Sequence, residues 1–357
     1  MTDHRASIVT KKRDALGTAS IRERLEEREM TYLAPGATLS ADGRRLRFED
    51  ESPVRTAFQR DRDRIIHSSS FRRLMHKTQV FIAPVGDHYR TRLTHTLEVT
   101  QIARTVGRAI GLNEDLVEAI GLGHDLGHTP FGHAGERALA EMFPGFRHNE
   151  QSLRVVDLLE QDGEGLNLTD VVRDGILRHS KGRATITGTR AGTPSTSEGE
   201  IVKLADALAY INHDLDDALR AEIIAWPDVP AIVGEVLGTN HAARINTLVI
   251  DVIEHADPSP DLISIGLSDE VRNAADALRD FLYERVYTPI NKRRDTIHAQ
   301  QVVQDLFGYY VDHSEQMEPT GLISPATDPV ERRVADYVAA LTDRSALELF
   351  ETHILNP

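Results

Sequence analysis

Apolar residues along this chain recur at helical spacing almost throughout. In "EIVKLADALAYINHDLDDAL", Ile201, Leu204, Leu208, Ile211 and Leu215 follow at intervals of 3, 4, 3 and 4. The stretch "THTLEVTQIARTVGRAIG" sets Leu97, Ile102, Val106 and Ile110 on one stripe and stops at Gly111. "NEDLVEAIGLGHDLG" opens on Asn113, a good N-cap, with acids in its first turn. "SPVRTAFQRDRDRII" offers Ser52 as N-cap and Pro53 as first helical residue. Three further amphipathic stretches follow near the end: "SDEVRNAADALRDFLYERVY", "DTIHAQQVVQDLFGYY" and "DPVERRVADYVAAL". Strict alternation is missing, so the pattern predicts an all-α protein. At most a small hairpin is expected near residues 76–91, where Val80, Phe81 and Ile82 precede Pro84 and Gly86.

One segment breaks the pattern. "KGRATITGTRAGTPSTSEGE" (181–200) is rich in Gly, Thr and Ser and predicts a mobile loop of a length often found over functional sites. "AWPDVPAIVG" marks a boundary near 225–235. The expected organisation is an N-terminal segment and arm (1–50), a helical core (51–230) and a C-terminal helical subdomain (231–357).

Composition narrows the class. With 40 % hydrophobic and 27 % charged residues the chain can build a core. It holds no cysteine, which excludes disulfides, zinc–thiolate centres and thiol nucleophiles and fits a cytoplasmic location. "MTDHRASIVTKKRDALG" lacks the apolar centre of a signal peptide, and no run of about 18 apolar residues predicts a membrane span. The net charge of −15 disfavours non-specific nucleic-acid binding. Residues 55–92 depart from it: Arg55, Arg60, Arg62, Arg64, Arg72, Arg73, Lys77, Arg90 and Arg92 outnumber Asp61, Asp63 and Asp87. Such a run is either a solvated helix face laced with ion pairs or a local anion site.

Candidate chemistry concentrates in "GHDLGHTPFGHAGE" (123–136), where three histidines, an aspartate and a glutamate sit among four glycines and a proline. His124 and Asp125 end one helical stretch. His95 opens another, and Asp206 lies within a strongly apolar one, where a buried charge needs a partner. A divalent cation would supply it, and two imidazoles with two carboxylates suit Mg²⁺, Mn²⁺, Fe²⁺ or Co²⁺. Glu136 follows His133 by three residues, placing both on one side of a helix starting near Gly132. Asp206, Tyr210 and Asp214 fall at i, i+4 and i+8 on a single stripe.

The order His95, His124–Asp125, Asp206 resembles the HD-domain metal-dependent phosphohydrolases. Flanking sequence sharpens the likeness: "HDLGHTPFGHAGE", "SSSFRRLMHKTQVF" (68–81), "RLTHTLEV" (92–99), "RHNEQSLRVV" (147–156) and "KLADALAYINHDLDD" (203–217) resemble the deoxynucleoside triphosphate triphosphohydrolases, in their dGTPase-like subgroup. The resemblance implies an HD-domain helical bundle with a C-terminal helical extension. It implies release of tripolyphosphate and a deoxynucleoside by water attack on the α-phosphorus. His95, His124, Asp125 and Asp206 would hold the metal. His133 with Glu136 would form the catalytic pair, and His148 with Glu150 a further pair. Arg92 and His128 would reach phosphate, with Arg285 a weaker candidate for the γ-phosphate and Lys/Arg in 55–77 for the phosphate tail. Tyr210, Asp214 and Gln79 would read the deoxyribose. Homo-oligomers, commonly hexamers, and activation by a second dNTP also belong to the family picture. Competing expectations are another HD phosphohydrolase (a 5′-nucleotidase, a (p)ppGpp hydrolase or a cyclic-nucleotide phosphodiesterase) or a nucleotide-sensing or single-stranded-nucleic-acid-binding scaffold.

Overall fold

A computed structural model describes residues 19–80, 90–180, 192–257 and 263–356. Among them the helices of seven or more residues are α1 (Ile21–Tyr32), α2 (Ala57–His67), α3 (Arg92–Ile110), α4 (Glu114–Gly123), α5 (Gly132–Met142), α6 (His148–Arg154), α7 (Asp170–Arg178), α8 (Ser197–Arg220), α9 (His241–Glu254), α10 (Asp269–Leu282), α11 (Arg294–Asp312), α12 (Val330–Ala340) and α13 (Asp343–Phe350). Extended pairing among the described residues is confined to isolated bridges, so the fold is all-α. One of these bridges joins Thr78 to Thr91, at the flanks of the expected hairpin; its residues 81–89 lie outside the described residues.

Several helix ends fall where the capping chemistry dictates. Asn113 accepts from the Leu116 N–H to start α4, and Gly111 ends α3 in the left-handed region at φ 80°. Three expectations need correction. Ser52 does not start a helix; its hydroxyl accepts from the Val54 and Arg55 N–H groups in a turn, and α2 begins after Thr56. The loop expected over 181–200 is shorter, because Thr196 accepts from the Gly199 N–H and starts α8 at Ser197; residues 181–191 lie outside the described residues. On α3 the buried stripe is Val99, Ile102, Ala103 and Val106, while Leu97 is half-exposed. Five residues advance a helix by about 500°, so Leu97 and Ile102 never shared a face.

α8 lies at the centre, packed against α3, α4, α7, α9 and α10. Ile201, Leu204, Leu208, Ile211 and Leu215 are all buried on it. The main core continues without a break past residue 230, taking in Leu248, Val252, Leu278, Leu282 and Val286. A second core forms where α5 meets α11: Phe131, Leu139 and Phe146 pack with Val303, Leu306, Phe307, Val338 and Phe350. The last helices therefore share an apolar core with the segment that carries His133 and Glu136.

The turn between α4 and α5 is held from three sides. Lys77, buried, donates to the carbonyls of His128 (2.6 Å) and Ala339 (2.7 Å). Asp343 accepts from the N–H of Phe131 (2.9 Å), a non-glycine residue at φ 59°. Ser152 on α6 accepts from the Gly127 N–H and donates to the His124 carbonyl. Gly127 lies so close to α6 that a Cβ would stand 2.2 Å from the Ser152 backbone nitrogen. Gly127→Ala is therefore expected to destabilise the fold by at least about 2 kcal/mol through this overlap. A thermal unfolding midpoint equal to that of the parent would contradict the close packing of turn and helix.

Candidate active site

Most of the candidate residues, including His95, Asp125, His133 and Asp206, line one cavity from separate helices. His95 stands one turn into α3; Asp206 comes from α8; His124 and Asp125 follow α4 directly. His95 Nε2 lies 3.1 Å from Asp206 Oδ1, and His124 Nε2 lies 3.9 Å from the same oxygen and 3.4 Å from Asp125 Oδ2. One donor atom from each of His95, His124 and Asp206 falls within 4.8 Å of the other two. His124 Nδ1 is fixed by the Gly121 carbonyl at 2.7 Å, which leaves Nε2 to face the carboxylates. That nitrogen is buried and has no hydrogen-bond partner. Burial alone would depress the His124 pKa, but Asp125 and Asp206 push it up to about 9. An imidazole that retains a proton in a buried place marks a site with excess negative charge, and a divalent cation fits this donor set.

Asp125 is buried and ion-paired with the Arg92 guanidinium. Burial pushes its carboxyl up, yet His124 and Arg92 bring it well below its ordinary value. Asp206 is likewise held ionised: burial opposes the charge, while the His95 hydrogen bond and His124 favour it.

Beside this cluster lies a second one. His133 Nδ1 is 2.9 Å from Glu136 Oε2, and His148 presents Nδ1 (2.7 Å) and its backbone N–H (2.8 Å) to Glu136 Oε1. Burial raises the Glu136 carboxyl, but His148 and His133 lower it well below its ordinary range. The expected pairing of His148 with Glu150 is not made. Glu150 is exposed, faces Arg147 at 3.7 Å and is not among the residues lining the cavity. His128 is fully buried, stacks on His148 with ring centroids 4.6 Å apart, and offers two ring nitrogens without partners. Burial and the nearby Arg92 keep it neutral.

The cavity is about 820 Å³, within the range of small-molecule sites. Its lining includes Gln79, Arg92, His128, His133, Glu136, Tyr210 and Asp206. Gln79 Oε1 is buried without a partner. Asp214 is buried and is not among the lining residues; Tyr287, which is, donates to its carboxyl at 2.5 Å. Arg285 is exposed and does not line the cavity. Nor does the basic run up to residue 77. Arg55 pairs with Asp63, Arg60 and Arg64 with Glu49, and Arg62 with Asp63, Asp115 and Glu118, while Arg73 and Lys77 donate to carbonyls. Its ion-paired reading holds, and the expectation of a free phosphate-tail site there does not. Arg137, Arg147 and Arg279 line the cavity instead.

Besides these arginines, Tyr283, Tyr287 and His179 line the cavity and escaped the sequence reading. Tyr287 lies four residues after Tyr283, and both rings reach the cavity from a π-helical turn (Tyr283–Tyr287) that turns Arg285 outward; the i, i+4 tyrosine pair was the available signal. His179 caps the end of α7, buried, with Nδ1 on the Ile176 carbonyl (2.7 Å) and Nε2 3.1 Å from His148 Nε2. Burial and the neighbouring His124 and His148 lower its pKa to about 3.

Residues 92–211 match the HD domain family and residues 265–352 the phosphohydrolase-associated domain. The chain is 52 % identical over 329 residues to a deoxyguanosinetriphosphate triphosphohydrolase-like protein of Caldanaerobacter subterraneus subsp. tengcongensis, covering 92 % of this chain and 94 % of that protein. Like-named proteins of Desulfatibacillum aliphaticivorans and Clostridium tetani are 48 % and 45 % identical, each over 93 % of this chain and over 97 % and 95 % of their own length.

Two expectations follow from the site. Addition of Mn²⁺ should raise the thermal midpoint of the parent protein, because an ion that binds the folded state alone stabilises it. Asp206→Ala should abolish that shift, and an undiminished shift would place the ion elsewhere. The second concerns Asp214, whose carboxyl burial pushes up to about 8, against the Tyr287 hydrogen bond. Unfolded, it titrates near its ordinary value of about 4. Between these values the folded state holds the extra proton, so this group lowers stability as pH rises from about 4 to 8. Asp214→Asn is expected to raise the thermal midpoint more at pH 8 than at pH 5; an equal change at both would refute the buried neutral carboxyl.

Proposed function

Because this chain belongs to the HD-domain phosphohydrolases, among the deoxyguanosinetriphosphate triphosphohydrolase-like proteins, we propose that it hydrolyses deoxynucleoside triphosphates to deoxynucleoside and tripolyphosphate. Water attacks the α-phosphorus and the 5′-oxygen leaves. The observation that carries this reading is the meeting of two clusters at one cavity: the His95, His124 and Asp206 group, whose His95 and Asp206 line the cavity together with Asp125, and the His133–Glu136–His148 hydrogen-bonded group.

His95, His124, Asp125 and Asp206 would hold a divalent ion, Mn²⁺, Mg²⁺, Fe²⁺ or Co²⁺, which supplies Lewis acidity and lowers the pKa of bound water. The remaining steps belong to the chain. The departing 5′-oxygen is strongly basic and needs a proton. His133 donates it from Nε2, since Nδ1 is turned to Glu136. Arg92, fixed by Asp125 at the cavity wall, neutralises charge on the α-phosphate. The neutral ring of His128 hydrogen-bonds to phosphate through a nitrogen that has no protein partner. Arg137, Arg147 and Arg279 offset the charge of the outer phosphates. Gln79 and the Tyr210–Asp214–Tyr287 wall receive the deoxyribose, with the Tyr210 ring packed where a 2′-hydroxyl would stand.

The test is hydrolysis of each dNTP, singly and in mixture, with Mn²⁺ or Mg²⁺ and chromatography of the products. Tripolyphosphate with deoxynucleoside is expected. Orthophosphate or pyrophosphate would transfer the chain to a different HD phosphohydrolase reaction. His133→Ala should keep fold and metal but lose at least about 10²-fold in rate, the usual effect of removing a general acid. Normal turnover in that variant would remove His133 from the mechanism.

A further inference from the structure

We infer that Lys292, Arg293 and Arg294 form a cationic landing at the mouth of the cavity, which captures the polyphosphate tail of the substrate before it reaches the buried groups. The inference rests on the reading of the cavity as a site for a deoxynucleoside triphosphate. It adds residues that no step of the hydrolysis uses.

Placement is the first observation. Residues 288–296 lead from the π-helical turn Tyr283–Tyr287 into α11, and Thr288, Ile290, Asn291 and Thr296 line the cavity. Between them Lys292, Arg293, Arg294 and Asp295 stand exposed. Asn291 accepts from the Arg137 guanidinium at 2.6 Å, so the exposed run begins one residue from the partner of a lining arginine. Arg137 is among the groups placed against the outer phosphates, and the run therefore borders the tail end of the substrate.

Three features set these cations apart. Elsewhere on the surface arginines meet carboxylates, as Arg62 meets Asp63, Asp115 and Glu118, and Arg104 meets Glu114 and Glu118. The side chains of Lys292, Arg293 and Arg294 make no hydrogen bond or ion pair with any described residue. The second feature is a local cost. Arg293 is the N-cap of α11 without a side-chain cap bond, and Arg294 is its first residue. A guanidinium cannot accept from the free N–H groups there as Ser, Thr, Asp or Asn would, and positive charge is disfavoured at the positive end of the helix dipole. Residues that oppose local stability in this way, with no contact to offset it, mark a functional demand. The third is the field of the whole molecule. A net charge of −15 repels a polyanion at a distance, and the entrance must reverse that field locally. Three cations against Asp295 leave a net of two positive charges over 292–295. Exposed charges on flexible stems act at long range and without fixed geometry, so their effect falls as salt rises.

The experiment measures steady-state hydrolysis by the full chain of the dNTP it cleaves fastest, at low and at high ionic strength. Lys292→Gln, Arg293→Gln and Arg294→Gln together should lower kcat/KM about tenfold at low ionic strength, through KM with kcat unchanged. The loss should fade at high ionic strength. Arg24→Gln, Arg28→Gln and Arg44→Gln together change the net charge equally but line no part of the cavity. The first two lie on α1, which is tied through Ala34 to Gly111, about 24 Å along α3 from His95. This control should keep the parent kcat/KM. Equal kcat/KM in the parent and the mouth variant would overturn the inference alone. So would equal losses in both triple variants, a loss undiminished by salt, or a fall in kcat. A parent protein that hydrolyses no dNTP would overturn it together with the proposed function. Arg293→Asp separates capture from folding, because it supplies the missing cap. Its thermal midpoint should rise while kcat/KM at low ionic strength falls, and a fall in both would make the arginine a support of the fold and overturn the inference.

Discussion

A single buried carboxylate sets the terms for this molecule. Asp125 sits out of water, and an uncompensated ion there would cost several kcal/mol. Compensation arrives from two helices, while a third brings only a neutral imidazole close by. Arg92 comes from the first residue of α3, His124 from the end of α4, and His179 from the end of α7. Each is anchored in turn: Arg92 donates to the Gln79 carbonyl, His124 to that of Gly121 and His179 to that of Ile176. The charge on one oxygen pair thus fixes where two of these helix ends must meet, and the cavity is the space the three ends enclose.

The turn that presents Asp125 does not hold itself in place. Phe131 and Gly132 both adopt positive φ, 59° and 56°, and the first of these is unfavourable for a bulky side chain. The strain persists because Asp343, near the far end of the chain, accepts from the Phe131 N–H, and because the Phe131 ring is buried in the second core. Lys77 performs a similar service, joining the turn to α12 through two carbonyls while its own charge is disfavoured by burial. The C-terminal helices are therefore not an appendage to the site. They supply the apolar support for α5 and two of the polar contacts that fix the turn, and the segment after α10 contributes Tyr287 to the wall.

Much of this was legible in the residues. Helical periodicity gave the elements of the bundle, and the buried stripe of α8 is the one its 3, 4, 3, 4 spacing describes. Of the four metal candidates, Asp206 was visible because a charge in so apolar a helix is costly without a partner, and the other three through the order His95, His124–Asp125, Asp206 and the family resemblance it carries. What was missed has physical reasons. The basic character of residues 55–77 is a surface property: those arginines meet carboxylates such as Glu49 and Glu118, which local sequence does not place beside them. Arg285 stood out by charge, but a π-helical turn shifts the register and gives its neighbours at 283 and 287 the cavity. His179 lies at the end of an ordinary amphipathic helix, and only the packing of α7 against α6 and α8 brings its ring to His148. Glu150, adjacent to His148 in kind and number, loses to Glu136 because that carboxylate already projects from α5 toward both imidazoles.

The sharing of Glu136 also answers how a half-exposed histidine can be held in one geometry. His133 is open to solvent on one side, and an exposed side chain surrenders rotamer freedom when it is fixed. A carboxylate with one partner would drift with it. Glu136 instead has one oxygen bound twice by His148, through ring and backbone, which leaves the other oxygen in a defined place for His133 Nδ1. The buried imidazole therefore orients the exposed one through the carboxylate between them, before any substrate arrives. That arrangement holds His133 at the same cavity that His95, Asp125 and Asp206 line from other segments. A proton donor and a charge-neutralising cluster can act on one phosphate ester only if both are aimed in advance.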